Sequence, residues 1–230
     1  EGVSKERVEA IAQYGADIVV VPGNYDDAVA FSERECEANG WTIVSDTSWE
    51  GYEEIPRTVM QGYTMMVHEL ASQLEGPPTH VFLQAGVGGF AAAVAASMVL
   101  SINSSIKFVI VEPDRAPCLF ESVRVGACTA VPAQQPTVMS MLECYRPSDI
   151  AWDVLSSLGT AFMTVGEEDA VDAMRTLARF GQSAGLISGE SGAAGAAGLI
   201  AACKSESVRA ALGLDAGARV LLFSTEGATA

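Results

Sequence analysis

Short apolar runs alternate with longer amphipathic or Ala-rich segments along most of the chain. The apolar runs predict strands at residues 17–21, 41–45, 80–84, 107–112, 161–165 and 219–224. The segments between them predict helices at residues 4–14, 26–38, 56–74, 90–100, 150–158 and 167–181, and one that begins near residues 188–192. Nearly continuous apolar strands that alternate with helices are typical of a parallel sheet covered on both faces. The sequence therefore predicts an α/β fold, with an irregular stretch at residues 115–150.

Two segments of low charge are long enough to be confused with membrane spans. Residues 81–100 carry no charge, and residues 184–203 carry only Glu190. Glycines at positions 86, 88 and 89 interrupt the first segment, which favours a strand, a tight loop and a buried helix. The charged N-terminal helix is unlike a signal peptide, which has a basic start and an apolar middle. We therefore expect no membrane association.

The charge balance of the chain limits its partners. Among the 230 residues, 29 are acidic and 13 are basic, which gives a formal net charge of −16. Surfaces that bind nucleic acid or anionic lipid need clustered basic residues. The chain has three lysines, Lys5, Lys107 and Lys204. We therefore expect no nucleic acid partner.

The five cysteines are odd in number and have no zinc-site spacing. This pattern favours reduced thiols in a cytoplasmic protein and predicts no metal site. Cys118 and Cys144 could face each other across the irregular stretch, but nothing in the sequence requires a bond between them. His68 and His80 lack a second ligand at a suitable spacing, so both are expected to be structural.

The segment QAGVGGF follows a predicted strand and opens a predicted helix. Ligands of parallel sheets bind at the carboxyl ends of the strands. Gly86, Val87, Gly88 and Gly89 there form a loop whose backbone N–H groups could converge on one phosphate group. The G-x-G-G pattern lacks the further glycine and the downstream acid of a dinucleotide site. A simple tight turn between strand and helix is the alternative interpretation.

Three further segments carry polar candidates. Ser224 and Thr225 end the last predicted strand, where a hydroxyl could bond a heteroaromatic nitrogen, or could be an ordinary turn hydroxyl. Asp46 lies beside aromatic residues in SDTSWEGY, where low solvent access would suit it to proton transfer. A helix cap or turn is the alternative for Asp46. Glu190, in ISGESGAAG, is open to the same two kinds of interpretation.

Five segments, in this order, resemble one enzyme family. They are SDTSWEGYEEIPRTVMQGY, THVFLQAGVGGFAAAV, IVEPDRAPC, ISGESGAAG and LLFSTEG. Together they are similar to diaminopropionate ammonia-lyase from about residue 3 to about residue 227. The DTSWEGY segment separates this family from the threonine and serine dehydratases. The resemblance implies a pyridoxal 5'-phosphate enzyme with the tryptophan-synthase β-like fold (fold type II), in which helices cover both faces of mostly parallel sheets.

The resemblance also implies how the cofactor would be held. The loop Gly86-Val87-Gly88-Gly89 would bind its phosphate through backbone amides. Ser224 or Thr225 would meet the pyridine nitrogen, and the choice between them is open. Glu190 would lie near the cofactor.

The same resemblance implies a reaction. Asp46 would act as an acid/base toward the L-substrate, and Tyr25 would lie near that substrate. The enzyme would catalyse the α,β-elimination of 2,3-diaminopropionate to pyruvate and two ammonia molecules. The family context is amino-acid catabolism by a cytoplasmic homodimer that acts on a small amino acid.

One departure from the family is the absence of its Schiff-base lysine. In the family that lysine, and a second acid/base Asp in a TDGNHG-like segment, lie upstream of the part that is matched. Lys5, Lys107 and Lys204 do not have the right neighbours. We therefore expect the chain to be the C-terminal portion of an enzyme, incomplete at the N-terminus. Residues 1–46 would be part of a small α/β domain and residues 47–230 most of a large cofactor-binding domain.

Two other function classes stay open at this point. The first is another fold-type-II enzyme, such as a threonine or serine dehydratase or a sulfhydrylase. The second is a non-catalytic module that binds an anion or a nucleotide through the glycine loop. Substrate profiling of the complete enzyme separates the first class, and titration with pyridoxal phosphate against nucleotides separates the second.

The missing lysine generates a first prediction. The purified polypeptide of 230 residues should release no pyruvate from 2,3-diaminopropionate when pyridoxal phosphate is added, because no lysine is placed to hold the cofactor as a Schiff base. A coupled lactate dehydrogenase assay measures the pyruvate. Cofactor-dependent release by this polypeptide would contradict the prediction.

Overall fold

The computed structural model describes residues 5–158, 161–181 and 186–227. The chain divides into two compact units, Glu1–Ser45 and Asp46–Ala230. The described part of the first unit contains helices, and that of the second contains a parallel sheet with helices on both faces.

The first unit contains helix α1 (Lys5–Ala12) and helix α2 (Tyr25–Asn39). Asn24 caps α2, because its side chain accepts a hydrogen bond from Asp27 N at 3.0 Å while the Asp27 carboxylate accepts one from Asn24 N at 2.9 Å. The helix ends at Gly40, which has a φ of +68°, a conformation that glycine adopts without strain. The predicted helix and its stop are confirmed.

The two strands predicted in this unit, at residues 17–21 and 41–45, are not formed. Both segments lack regular secondary structure, and Val19, Val20 and Trp41 are 66%, 71% and 64% exposed. A strand is held by a ladder of hydrogen bonds to a neighbouring strand, and neither segment belongs to a strand pair in the described part of the chain. An apolar, β-branched run is therefore not sufficient to make a strand.

The second unit is built around a parallel sheet. Its described strands are β1 (His80–Gln84), β2 (Lys107–Pro113), β3 (Ala161–Val165) and β4 (Val220–Leu222). Its described helices are α3 (Glu54–Ala71), α4 (Gly89–Ser101), α5 (Cys118–Val125), α6 (Asp149–Ser157), α7 (Glu167–Gly181), α8 (Ala194–Lys204) and α9 (Glu206–Leu212). The strand order is β3-β2-β1-β4, and every pair is parallel. The predicted α/β fold with a parallel sheet is confirmed.

Strand β1 lies inside the sheet and is buried along its whole length. Val81 and Leu83 belong to the core that α3, α4 and α6 cover, and Phe82 belongs to the core on the opposite face, beneath α7 and α8. Burial on both faces explains why the strand is almost continuously apolar in sequence. It also places the carboxyl end of β1, where Gln84 precedes the glycine loop, between the ends of β2 and β4.

The second half of the Ala- and Gly-rich segment 184–203, whose first two residues lie outside the described part of the chain, is in helix α8, which packs on the sheet. A Cβ built on Gly198 would lie 2.6 Å from Val111 Cγ2, and one on Gly195 would lie 3.0 Å from the Phe82 carbonyl oxygen. Glycine at these positions lets the helix approach the sheet closely. Among the described residues, no helix is both long enough and apolar enough to cross a membrane.

Residues 115–150, predicted to be irregular, contain helix α5, a short 3-10 helix at Ser140–Leu142 and the start of α6. Helix α5 has 8 residues, too few to show a clear helical period in sequence. The sequence pattern also fails to reveal α9, and β4 is shorter than the predicted strand at 219–224. The other predicted elements differ from the observed ones by a few residues at their ends.

Glu112 caps helix α5 from the end of strand β2. Its carboxylate accepts hydrogen bonds from Leu119 N at 2.8 Å and Phe120 N at 2.6 Å, and the side chain is completely buried. These are two of the N–H groups that a helix start leaves unpaired. Burial raises the pKa of Glu112 from 4.5 to about 8, although the two N–H groups and the side chain of Cys118 act in the opposite direction.

This raised pKa predicts a pH dependence of stability. Between pH 4.5 and about 8 the folded state holds a proton on Glu112 that the unfolded state has lost, so the free energy of unfolding should fall as the pH rises through this window. Glu112→Gln cannot ionise and should remove at least about 1 kcal/mol of that fall between pH 5.5 and pH 8.5. Urea unfolding at several pH values measures how the free energy of unfolding depends on pH.

The neighbouring carboxyl group on α5 provides the control. Glu121→Gln removes an acid that pairs with Arg124 at the surface. It should therefore leave the slope of the free energy of unfolding against pH close to that of the unmodified protein. A slope that Glu112→Gln does not change would rule out the proposed titration.

Candidate functional site

The glycine loop joins the carboxyl end of β1 to the first turn of α4. Ala85 N still donates to Val111 O in the neighbouring strand at 3.0 Å, and α4 begins at Gly89. Gly88 precedes the helix with a φ of +97° and provides no side-chain cap. The chain therefore passes from a buried strand to a buried helix through a conformation that favours glycine.

Close packing supports the loop from the protein side. A Cβ on Gly86 would lie 2.9 Å from Cys144 Sγ, and one on Gly88 would lie 3.0 Å from Leu119 Cδ1. The loop carbonyl groups are also held, since Ser148 N donates to Val87 O at 2.9 Å and Cys118 Sγ lies 3.6 Å from Gly86 O. Side chains larger than hydrogen at positions 86 and 88 would displace this packing.

The amide groups of the loop have no acceptor in the described part of the chain. The first helical hydrogen bond of α4 runs from Ala92 N to Gly88 O, and no described residue accepts one from the N–H groups of residues 86–91. Unpaired N–H groups at a helix N-terminus, together with the helix dipole, make a binding site for an anion. The predicted loop residues therefore have the chemistry that a phosphate group requires.

Gln84 connects this loop to the segment after β4. Its side chain is 2% exposed, and its Nε2 donates to Phe223 O at 2.9 Å and to Thr225 Oγ1 at 2.8 Å. Ser224 Oγ donates to Ser188 Oγ at 3.0 Å. Both predicted hydroxyl groups therefore lie at the end of β4, next to the strand that precedes the glycine loop.

Glu226 holds the same segment to the glycine-rich turn before α8. Its carboxylate accepts hydrogen bonds from Ser191 N at 2.9 Å and Gly192 N at 3.2 Å. A Cβ on Gly189 would lie 2.6 Å from Glu226 Oε2, so this turn requires glycine there. Glu190 is half-buried in this turn, and its predicted place near a cofactor stays a prediction.

Asp46 lies beside the glycine loop, as the order of motifs predicts. Its carbonyl oxygen is 3.5 Å from the position of a Cβ on Gly89. Its charge, after the larger effect of burial, raises the pKa of the Tyr63 phenol on α3. The Asp46 side chain is exposed, so the expected low solvent access is wrong for this chain, because the nearby aromatic residues do not cover it. Trp49 and Tyr52 instead stack on each other with ring centroids 4.3 Å apart.

The sequence also singles out Tyr25, His80 and two cysteines. Tyr25 is the first residue of α2, in the first compact unit, and its contact with a substrate stays a prediction. His80 is 3% exposed, with Nε2 2.9 Å from Leu212 O, which confirms its structural role. Cys118 and Cys144 are buried, reduced thiols, so the bridge between them is not formed. No cluster of potential metal ligands occurs among the described residues.

Four polar residues that shape the site do not emerge from the sequence as candidates. They are Ser48, Gln84, Ser148 and Glu226. Two of them could have been selected from their position in the sequence, since Gln84 lies just before the glycine loop and Ser148 lies at a helix start. Their partners are 34 to 141 residues distant in sequence, which no local pattern reveals.

Comparison with known proteins gives a family and several relatives. The family model for "Pyridoxal-phosphate dependent enzyme" matches residues 1–226. Diaminopropionate ammonia-lyase of Escherichia coli (strain K12) is 38% identical over 238 residues, which cover 100% of this chain and 60% of the relative. The Salmonella typhimurium enzyme of the same name is also 38% identical, with the same coverage. The chain thus spans 60% of the length of these curated relatives.

Solved structures show the same likeness. A crystal structure of Diaminopropionate ammonia lyase from Escherichia coli has a TM-score of 0.88 and 37% identity, and the match covers 99% of this chain and 60% of that one. The same enzyme has been crystallised in complex with D-serine. Threonine deaminase isoform 2 from Solanum lycopersicum has a TM-score of 0.80 at 19% identity over 100% of this chain and 58% of that one, which shows a shared fold. The fold class predicted from the resemblance is confirmed.

The geometry of the glycine loop predicts how it responds to an added methyl group. Gly88→Ala places a Cβ 3.0 Å from Leu119 Cδ1 at a φ of +97°, so the loop must shift and its N–H groups must turn. Affinity for inorganic phosphate, measured by isothermal titration calorimetry, should fall at least about tenfold, equivalent to about 1.4 kcal/mol.

Gly126→Ala is the matched control, since Gly126 also has a positive φ, +75°, but has open space around it. It should cost stability and leave the affinity for phosphate unchanged. Equal affinity in the Gly88→Ala and Gly126→Ala proteins would contradict an anion site at this loop.

Proposed function

Because this chain belongs to the pyridoxal-phosphate dependent enzyme family, we propose that its protein catalyses the α,β-elimination of 2,3-diaminopropionate to pyruvate and two ammonia molecules. The observation that carries the proposal is the position of Asp46 beside the glycine loop, with its carbonyl oxygen 3.5 Å from the Cβ position of Gly89. This backbone contact holds the residue that carries the carboxylate at the loop that would bind the cofactor phosphate, so a substrate joined to that cofactor would have a proton acceptor nearby.

Pyridoxal phosphate is the cofactor of this family, and the residues at the loop fit it. The N–H groups of Gly86, Val87, Gly88 and Gly89 would bind its phosphate, for they have no acceptor among the described residues. Ser224 or Thr225 would donate a hydrogen bond to its pyridine nitrogen without adding a fixed charge, and Ser224 would have to give up its hydrogen bond to Ser188 Oγ to do so. When bound, the cofactor ring delocalises the electron pair that remains after loss of the substrate α-proton.

Asp46 would accept the α-proton of the L-substrate. Its carboxylate is exposed in this chain, so a bound amino acid can reach it. Breaking of the Cα–H bond and then of the bond from Cβ to the β-amino group forms a carbon–carbon double bond and releases the first ammonia. Water then hydrolyses the resulting enamine to pyruvate and the second ammonia.

The family resemblance also implies roles for Tyr25 and Glu190. Tyr25, the first residue of helix α2, would lie near the substrate in the complete protein. Glu190 is half-buried, and the residues on either side of it are bonded to Glu226. Gly189 N donates to the Glu226 carbonyl oxygen, and Ser191 N donates to the Glu226 carboxylate. This turn would bring Glu190 to the cofactor side of the sheet edge.

The wider assembly is also part of the proposal. Residues 1–46 would be part of a small α/β domain and residues 47–230 most of the large cofactor-binding domain. The protein would act as a cytoplasmic homodimer in amino-acid catabolism. The net charge of −16 supports a small-molecule substrate over a nucleic acid or an anionic membrane as partner.

Turnover tests this function in the complete protein that carries this chain. It should release pyruvate from L-2,3-diaminopropionate faster than from L-serine, D-serine or L-threonine. Asp46→Asn should lower kcat on the L-substrate by about 10²- to 10⁴-fold, because the amide cannot accept the α-proton. The absorption spectrum should show that the cofactor stays bound.

Asp153→Asn, which changes an exposed carboxylate on α6, should keep the kcat of the unmodified protein. Unchanged turnover in Asp46→Asn would remove this residue from the mechanism. A higher kcat/KM for serine or threonine would favour a dehydratase instead.

A further inference from the structure

Two buried serines join segments that are 100 residues distant in sequence. Ser48 lies just after Asp46, and Ser148 stands at the start of α6; both side chains are 0% exposed. Their hydroxyl oxygens are 2.7 Å apart. Burying two hydroxyl groups is unfavourable unless both are hydrogen-bonded. The two serines therefore stabilise each other's burial only while the two segments stay in contact.

Helix α6 is capped by Ser48 instead of by the serine at its own N-cap position. Ser148 occupies the N-cap position, but its side chain makes no cap hydrogen bond to its own helix. Its hydroxyl accepts one from Ser48 N at 3.1 Å. The Ser48 hydroxyl in turn accepts one from Ile150 N at 2.9 Å, and Ser48 O accepts one from Asp149 N at 3.2 Å. Four hydrogen bonds therefore cross between the two segments.

A local cap would satisfy the helix with a single side chain. Serine at an N-cap normally accepts a hydrogen bond from the N–H group two or three residues later in its own helix. Here Ser48 provides the cap, so the N–H groups at the start of α6 are hydrogen-bonded only when residues 46–48 are in place. This arrangement fixes the distance between the two segments as well as capping the helix.

The same helix start also holds the glycine loop. Ser148 N donates to Val87 O at 2.9 Å. Asp46 is two residues before Ser48, and its carbonyl oxygen lies close to Gly89. One short segment of α6 is therefore bonded to both the carboxylate segment and the proposed phosphate loop.

We infer that Ser48 and Ser148 are positioning residues that set the Asp46 carboxylate relative to the glycine loop. The inference rests on the acid/base role of Asp46 in the proposed function. A buried pair of hydrogen-bonded hydroxyl groups cannot slide as apolar contacts can, so it holds the backbone at residue 48 to one place. Small displacements of a reacting group are costly, and about 1 Å can reduce turnover by about 10²-fold.

Ser148→Ala in the complete protein tests this inference. It removes the bond between the hydroxyls but keeps the helix cap from Ser48, so folding is preserved better than in Ser48→Ala. We expect kcat for L-2,3-diaminopropionate to fall by about 10²-fold, while KM and the dissociation constant of pyridoxal phosphate change less than about threefold. The affinity is retained because the loop contact uses the Ser148 backbone, which alanine keeps.

Ser157→Ala is the matched control on the same helix, since its hydroxyl is exposed and bonds only Val154 O, at 2.9 Å, among the described residues. It should leave kcat unchanged. The double variant Ser48→Ala/Ser148→Ala should lose no more kcat than Ser48→Ala alone, because residues that act as one unit are not additive. Turnover of Ser148→Ala equal to that of Ser157→Ala would overturn the inference, as would a loss of cofactor affinity equal to the loss of kcat.

Amide hydrogen exchange separates a failure of this inference from a failure of the proposed function. The Ser48 amide donates to Ser148 Oγ, so its exchange should accelerate at least about tenfold in Ser148→Ala and not in Ser157→Ala, whichever reaction the protein catalyses. A protein that releases no pyruvate but shows this acceleration would refute the proposed reaction while retaining the coupling. Unchanged exchange at residues 46–48 would overturn the coupling itself.

Discussion

The direct passage from a buried strand to a buried helix at the glycine loop is the constraint on which the rest of the second unit depends. β1 is covered on both faces and α4 is largely buried, so the connection between them must be short and tightly packed. Gly88 at φ +97° makes the turn possible, and the absence of side chains at Gly86 and Gly88 lets neighbouring residues support it. The result is a row of N–H groups without acceptors in the described chain, which is stable only where an anion or solvent can bind them.

Buried and partly buried polar side chains then hold the neighbouring segments around this loop. Glu112 caps α5, Ser48 caps α6, Gln84 holds the end of β4, and Glu226 holds the turn before α8. In each case a side chain from one segment satisfies backbone groups of another. Since an unpaired backbone group in the interior is costly, these bonds make the segments at the carboxyl edge of the sheet dependent on one another. A site built in this way is preorganised, which both cofactor binding and proton transfer require.

Much of the architecture was accessible from the sequence, and the reasons are physical. Strands β1 and β3 and the helices α2, α4 and α7 have either continuous burial or clear start and stop residues, and the pattern predicts them within a few residues. The glycine loop and the hydroxyls after β4 were accessible because strand ends in parallel sheets share one edge. The segments 17–21 and 41–45 have the composition of strands, yet they are not strands, because a strand depends on a partner that composition does not specify.

The sequence by itself therefore determined the layered α/β plan, the position of the glycine loop and which polar motifs follow the strands around it. Only the tertiary structure decided that Asp46 is exposed, that Cys118 and Cys144 form no disulfide, and that Ser48 and Ser148 form a buried pair. The division has a physical reason. Periodicity and turn chemistry act over a few neighbouring residues, whereas solvent exposure and the choice of a hydrogen-bond partner depend on which distant segments pack together.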